Sequence, residues 1–141
     1  MSTIATIIRN ATVVNEGVSF NSDLLIENNI ISKIAPNITV SFPHDEINAE
    51  GKILIPGVID DQVHFREPGL TYKADIYSES RAALIGGVTS FMEMPNVNPQ
   101  TTTIELLEEK MAIAANNSAV NYSFFLGATN QNIEELKKIN T

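Results

Sequence analysis

The chain of 141 residues contains no cysteine. Disulfides and thiolate zinc sites are thereby excluded, and the lack of thiols fits a reducing compartment. Basic residues are scarce: nine Lys and Arg stand against 17 Asp and Glu, a formal charge of −8. A surface of that sign repels phosphate backbones, so no nucleic-acid partner is expected. No apolar stretch approaches the roughly 20 residues of a membrane span. No basic run followed by an apolar core opens the chain, so no secretory leader is expected. A soluble, cytoplasmic protein without a membrane partner is the expectation. Repeats, low-complexity tracts and long linkers are missing too.

What is present falls into two parts. Residues 1–55 carry short apolar runs at Ile4–Ile8, Thr12–Val14, Leu24–Ile26, Ile30–Ile34 and Lys52–Ile55. Turn-forming clusters separate them, and Asn28-Asn29 between two β-rich runs predicts a tight hairpin, because Asn tolerates positive φ. Short strands at this spacing predict a small β-sandwich segment. His44 lies in the acidic, Pro-containing stretch Phe42-Pro43-His44-Asp45-Glu46 and reads as a solvated loop residue.

Residues 56–141 alternate strand and helix patterns, which argues for βαβ units and a parallel sheet. Strands are predicted at Val58–Val63, Val88–Met92 and Asn121–Leu126. The first helix is predicted at Lys73–Leu84, with Ile76, Ser80, Ala83 and Leu84 on one face and Gly86-Gly87 as its stop. The second is predicted at Thr103–Asn116, with Leu106, Leu107, Met111 and Ala114 at helical spacing. Thr101, Thr102 or Thr103 can cap it, with Glu105 at the positive end of the dipole. A third helix is expected at Asn132–Ile139. Glu105, Glu108, Glu109 and Lys110 read as a solvated helix face. Phe91, Met92 and Met94 read as wall packing around Glu93, a residue without an assigned catalytic role.

The most informative run is Leu54-Ile-Pro-Gly-Val-Ile-Asp-Asp-Gln-Val-His-Phe-Arg-Glu-Pro-Gly69. Asp60, Gln62, His64 and Arg66 are spaced by two, and such residues share one face of a strand. Four groups able to bind a metal or an anion would converge at one strand end. A buried strand has no structural need for that; the plainer alternative is a strand running out into a polar loop.

Pro56-Gly57-Val58-Ile59-Asp60, the His-x-His-like element after it and Arg66-Glu67-Pro68-Gly69 together resemble the metal-dependent amidohydrolases, specifically dihydroorotases. Gly86-Gly87-Val88-Thr89-Ser90 is similar to the family's Gly-Gly-x-Thr-Thr turn. Met94-Pro95-Asn96 followed by Pro99 is similar to its Met-Pro-Asn-Thr-x-Pro segment. The Arg66 and Asn96 positions separate dihydroorotases from allantoinases and dihydropyrimidinases. One departure stands out: Asp60-Asp61-Gln62-Val63-His64 holds Gln62 where the family pattern Asp-x-His-x-His has its first histidine. An imidazole nitrogen is a good zinc ligand, whereas an amide oxygen is a harder and weaker one.

The resemblance implies an α/β fold: the N-terminal part of a (β/α)₈ TIM barrel, residues 56–141, preceded by a small β-sandwich segment, residues 1–55. A complete barrel needs roughly 250 residues, so the chain reads as an N-terminal fragment, expected to be inactive alone. The resemblance further implies zinc-dependent, reversible hydrolysis of dihydroorotate to N-carbamoyl-aspartate in pyrimidine biosynthesis. It places His64, Gln62 and Asp60 at a metal and gives Arg66 and Asn96 the substrate carboxylate. No catalytic base is assigned within this chain, and the full-length protein could form a homo-oligomer. Alternatives stay open: His64 as a hydrogen-bonded histidine of the barrel mouth, Arg66 as a partner of Glu67 or Asp61, and Asn96 as a turn residue. At the level of the protein, they are a non-catalytic dihydroorotase-like protein with a degenerate metal site, or another cyclic amidase such as a hydantoinase.

Overall fold

A computed structural model describes residues 5–139, so Ile4 of the first apolar run lies outside the described residues. The chain divides into two compact units, Met1–Pro56 and Gly57–Thr141.

Among the described residues, the first unit is built on one five-stranded sheet. Its strands are β1 (Ala5–Asn15), β2 (Val18–Glu27), β3 (Ile30–Ala35), β4 (Asp45–Asn48) and β5 (Ile53–Leu54), in the order β3-β2-β1-β4 with β5 also on β1. The two apolar runs expected as separate strands form the single strand β1, which carries an irregularity between Ile8 and Ala11. Asn10 there has φ 58°. One extra residue in a strand inverts the faces of everything after it. Ala5 and Ile7, before the bulge, therefore pack with Leu25 and Ile38. Ala11 and Val13, after it, pack with Leu24 and Ala49 in a different cluster. The expected hairpin is present: Glu27 pairs with Ile30, and Asn28 and Asn29 both have positive φ.

Asp23 closes the bulge. Its carboxylate accepts from Asn10 N (2.9 Å), Arg9 Nη1 (2.9 Å) and Ile38 N (3.1 Å). Burial alone would raise this carboxyl. The Asn10 amide, the Arg9 guanidinium and the Ile38 amide more than offset that and hold it below its ordinary value. A carboxyl lowered in the folded state stabilises above its unfolded value and loses that contribution as pH falls through the folded one. The bulge should therefore stay closed through the ordinary carboxylate range and open only as pH falls below it, and Asp23→Asn should flatten the transition. Amide signals of Asn10 and Ile38 followed against pH check this; pH-independent signals down to pH 2 would rule it out. His44 is not simply solvated: Nδ1 donates to Phe42 O (2.9 Å), and Nε2 lies 3.1 Å from Glu46 Oε1.

The second unit is a three-stranded parallel sheet, β6 (Val58–Val63), β7 (Val88–Glu93) and β8 (Asn121–Phe124), in that order. Helix α1 (Ile76–Ile85) joins the first two strands and α2 (Ile104–Asn117) the next two. Helix α1 starts three residues later than expected because Asp75 accepts from Ser78 N and sets the N-cap. Thr103 is the cap of α2, accepting from Leu106 N. The third helix is a single turn, α3 (Ile133–Leu136). Both long helices cover one face of the sheet, where Ile76 and Ala114 pack on Phe65, Phe91 and Phe124. The rings of Phe65 and Phe91 are 4.6 Å apart. Leu84 and Met111, expected on the inner stripes, are exposed.

Candidate substrate and metal site

Strand β6 hands its chain to the site at Val63, whose carbonyl accepts from Met94 N (3.0 Å) and so extends the β6–β7 pairing past the end of β7. His64 to Arg66 and Met94 to Asn96 thus leave the same edge of the sheet side by side. Val63 and Phe65 point to the helices. Gln62 and His64 alternate with them and are exposed.

The expected four-residue face is only partly formed. The β6–β7 ladder is irregular between Asp60 and Val63. Asp60 lies before the irregularity, and its Oδ1 accepts from Gln62 N (3.1 Å) in a local turn bond. Arg66 lies beyond the strand with φ 73°, so period-two alternation does not set its direction. The bulge and the left-handed residue decide both positions, and neither is visible in spacing alone.

His64, Arg66 and Asn96 do come together. His64 Nδ1 and Asn96 Oδ1 are 2.8 Å apart. With the amide oxygen facing it, Nδ1 is the donor of this bond, so in the neutral ring Nε2 would be the nitrogen available to a metal. The Asn96 amide nitrogen is left free to donate. Arg66 Nη1 lies 3.5 Å from Asn96 O, at the outer limit of a hydrogen bond. Among the described residues Arg66 forms no ion pair. Asp61 does not reach it, and Glu67 accepts instead from Ile76 N (2.9 Å) at the start of α1. The guanidinium fork is therefore open to an anion.

Gly69 sets the approach of the two loops. Its φ is 80°, and a Cβ placed there would lie 1.9 Å from the Asn98 carbonyl oxygen. That approach allows Asn98 N to donate to Pro68 O (3.1 Å). Beside Asn96, a cavity of about 190 Å³ is lined by Pro95, Gln100, Thr102 and residues 127–129.

Beneath the site lies a pair that the sequence reading missed. Lys110, expected on a solvated face, is fully buried, as is Glu93. Lys110 Nζ is 3.1 Å from Glu93 Oε2, and it also donates to Met94 O (3.1 Å). Glu93 Oε1 accepts from Arg66 N (2.9 Å). Burial raises the Glu93 carboxyl against the pull of Lys110, and burial lowers the Lys110 ammonium against the pull of Glu93. A signal existed: position 110 is three residues after Leu107 and four before Ala114, on the apolar stripe itself.

A resident metal can be tested against these donors. Among the described residues no group of three His, Cys, Asp or Glu side chains could hold an ion. His64 offers one imidazole nitrogen, Asp60 has one carboxylate oxygen bonded to Gln62 N, and Gln62 supplies only an amide. Catalytic zinc sites take three protein ligands. This donor set does not by itself fit zinc.

Comparison with known proteins agrees with the motifs. Residues 51–141 match the family model described as dihydro-orotase-like. A dihydroorotase of Lactobacillus acidophilus is 45% identical over 104 residues, 74% of this chain and 24% of that protein. One of Methanosarcina acetivorans is 40% identical over 118 residues, 84% of this chain and 25% of that protein. The chain thus spans about a quarter of the length of these relatives. Among solved structures, the L-hydantoinase of Arthrobacter aurescens superposes with a TM-score of 0.84 at 29% identity, covering 94% of this chain and 30% of that one. A dihydropyrimidinase from Brevibacillus agri gives 0.81 at 25% identity, with the same coverage. With its ordered motifs meeting at one sheet end and its match extending over residues 51–141, the chain belongs to the dihydro-orotase-like family.

Proposed function

We propose that this chain carries the first part of a dihydroorotase. Residues 1–55 would contribute to a small β-sandwich, and residues 56–141 would form the first three β/α units of a (β/α)₈ barrel. The whole enzyme would interconvert dihydroorotate and N-carbamoyl-aspartate in pyrimidine biosynthesis. The observation that supports this best is the meeting of His64, Arg66 and Asn96 at the C-terminal ends of two parallel strands, where barrel enzymes build their sites.

The role derived for this chain is recognition. Arg66 offers a planar fork that matches a carboxylate in two bonds. Asn96 adds an amide donor, because its oxygen is taken by His64. Together they would orient a carboxylate-bearing ring beside the free Nε2 of His64. A cyclic amide without a carboxylate, as in a hydantoinase reaction, would not need Arg66. In the full-length protein, Arg66→Ala should raise KM for dihydroorotate about 10–100-fold, the usual worth of a hydrogen-bonded charge. Unchanged steady-state kinetics would remove the carboxylate role.

Gln62 supports a second reading, a dihydroorotase-like protein that binds the carboxylate but lacks zinc chemistry. Positions 62 and 64 are both exposed on the same side of the chain. Gln62→His would set two imidazoles side by side, and zinc affinity should rise by about tenfold or more. Calorimetric zinc titration of both forms decides it: equal affinity would mean that position 62 does not face the metal.

A further inference from the structure

Two charged side chains lie completely buried beneath the candidate site, and neither is assigned a contact with substrate. Glu93 at the end of β7 and Lys110 in the middle of α2 are both 0% exposed. A buried ion pair is an inefficient way to fill a core, since apolar residues of similar volume are often as stable or more so. The remaining contacts of the two groups indicate a different use.

Glu93 Oε1 accepts from the backbone N–H of Arg66 at 2.9 Å. Arg66 holds φ 73°, a conformation that is unfavourable for a side-chain-bearing residue and persists only where its surroundings over-determine it. On the other side of the pair, Lys110 Nζ donates to Met94 O at 3.1 Å, two residues before Asn96. A continuous polar path therefore runs from the backbone of Arg66 through Glu93 and Lys110 to the backbone beside Asn96. Its ends are the two loops that carry the open guanidinium and the free amide. The Lys110 ammonium is also 4.9 Å from the centre of the Phe124 ring, which closes the far side of the cation with the aromatic core.

We propose that Glu93 and Lys110 are positioning residues: a buried brace that holds Arg66 in its left-handed conformation and sets the spacing between the Arg66 and Asn96 loops. The proposal rests on the assignment of Arg66 and Asn96 to a substrate carboxylate, and it adds the groups that pre-organise them. Neither brace residue touches the ligand; they act through the Arg66 amide and the Met94 carbonyl.

Two double variants of the full 141-residue chain separate this role from packing. Glu93→Leu with Lys110→Met removes the charges and the acceptor. Glu93→Gln with Lys110→Met removes the charges and keeps an oxygen for the Arg66 amide. Amide hydrogen exchange by NMR is the first readout. The Arg66 amide should exchange slowly in the unaltered chain and about tenfold or more faster in the Leu/Met variant. It should recover in the Gln/Met variant, while the amides of Phe91 and Phe124 stay protected in both. The second readout is titration of the full-length protein, carrying the same substitutions, with N-carbamoyl-L-aspartate, whose affinity should fall about tenfold in the Leu/Met variant and by less in the Gln/Met variant. An Arg66 amide that exchanges like an open-loop amide in the unaltered chain overturns the brace, whatever the variants do. So does equal protection in two folded double variants. If the exchange pattern is as expected but the full-length protein and both of its variants fail to bind N-carbamoyl-L-aspartate, the carboxylate assignment falls and the brace of Arg66 stands.

Discussion

Lys110→Ala is expected to lower the unfolding free energy of the second unit by about 3–5 kcal/mol, the cost of leaving one partner of a buried pair uncompensated. The substitution removes the cation 3.1 Å from Glu93 Oε2 and the donor to Met94 O together. It also leaves a void beside Phe124. Glu93 has no solvent to turn to, and its carboxyl is already raised by burial, so it would take up a proton or pull the Arg66 loop open. Tyrosine fluorescence reads this unit alone, because Tyr72, Tyr77 and Tyr122 are the three tyrosines of the chain and all lie beyond Pro56. Denaturant titration followed in this way should show the loss. A change below about 1 kcal/mol, typical of an exposed lysine in an ordinary surface pair, would mean that the pair is solvated in solution.

Gly69→Ala should be nearly as damaging, at about 2–4 kcal/mol, although it adds a single methyl group. Two costs combine. The residue must keep φ 80° with a Cβ, and that Cβ would stand 1.9 Å from a backbone oxygen of Asn98. A backbone oxygen cannot rotate away as a side chain can, so the two loops must separate. Separation breaks the Asn98 N to Pro68 O bond and withdraws Arg66 from Asn96. The variant should therefore lose stability by the tyrosine assay and, in the full-length protein, lose affinity for N-carbamoyl-aspartate by at least as much as Arg66→Ala. Full stability with full affinity would show that the loops have room to spare. The glycine of the Arg-Glu-Pro-Gly run thus has a physical reason: no other residue lets these two loops meet.

Much of the second unit was legible from sequence. Period-two and period-3.6 patterns are local, so β6, β7, α1 and α2 could be placed within a few residues of their observed bounds. The Asn28-Asn29 hairpin was legible because a two-residue turn with positive φ selects its residues directly. The grouping of His64 and Arg66 at one strand end followed from spacing by two, and the pairing of Arg66 with Asn96 from the family resemblance.

What remained hidden depends on contacts between distant residues. The bulge at Arg9-Asn10 is held by Asp23 from the neighbouring strand and by Ile38 beyond it, and no pattern within β1 announces it. Asp60 was counted among the face of the site, yet a ladder irregularity and its own bond to Gln62 N set it apart. Lys110 looked solvated because it follows three glutamates of its own helix, Glu105, Glu108 and Glu109. Its true partner is a carboxylate on the sheet. Charge in a sequence reports what a side chain needs, a partner or water. The sequence by itself determined the elements, their order and the groups gathered at one end of the sheet. Which of those groups is free for a ligand, and which is consumed in holding the others, was decided by the tertiary structure, because only packing chooses between a partner and water.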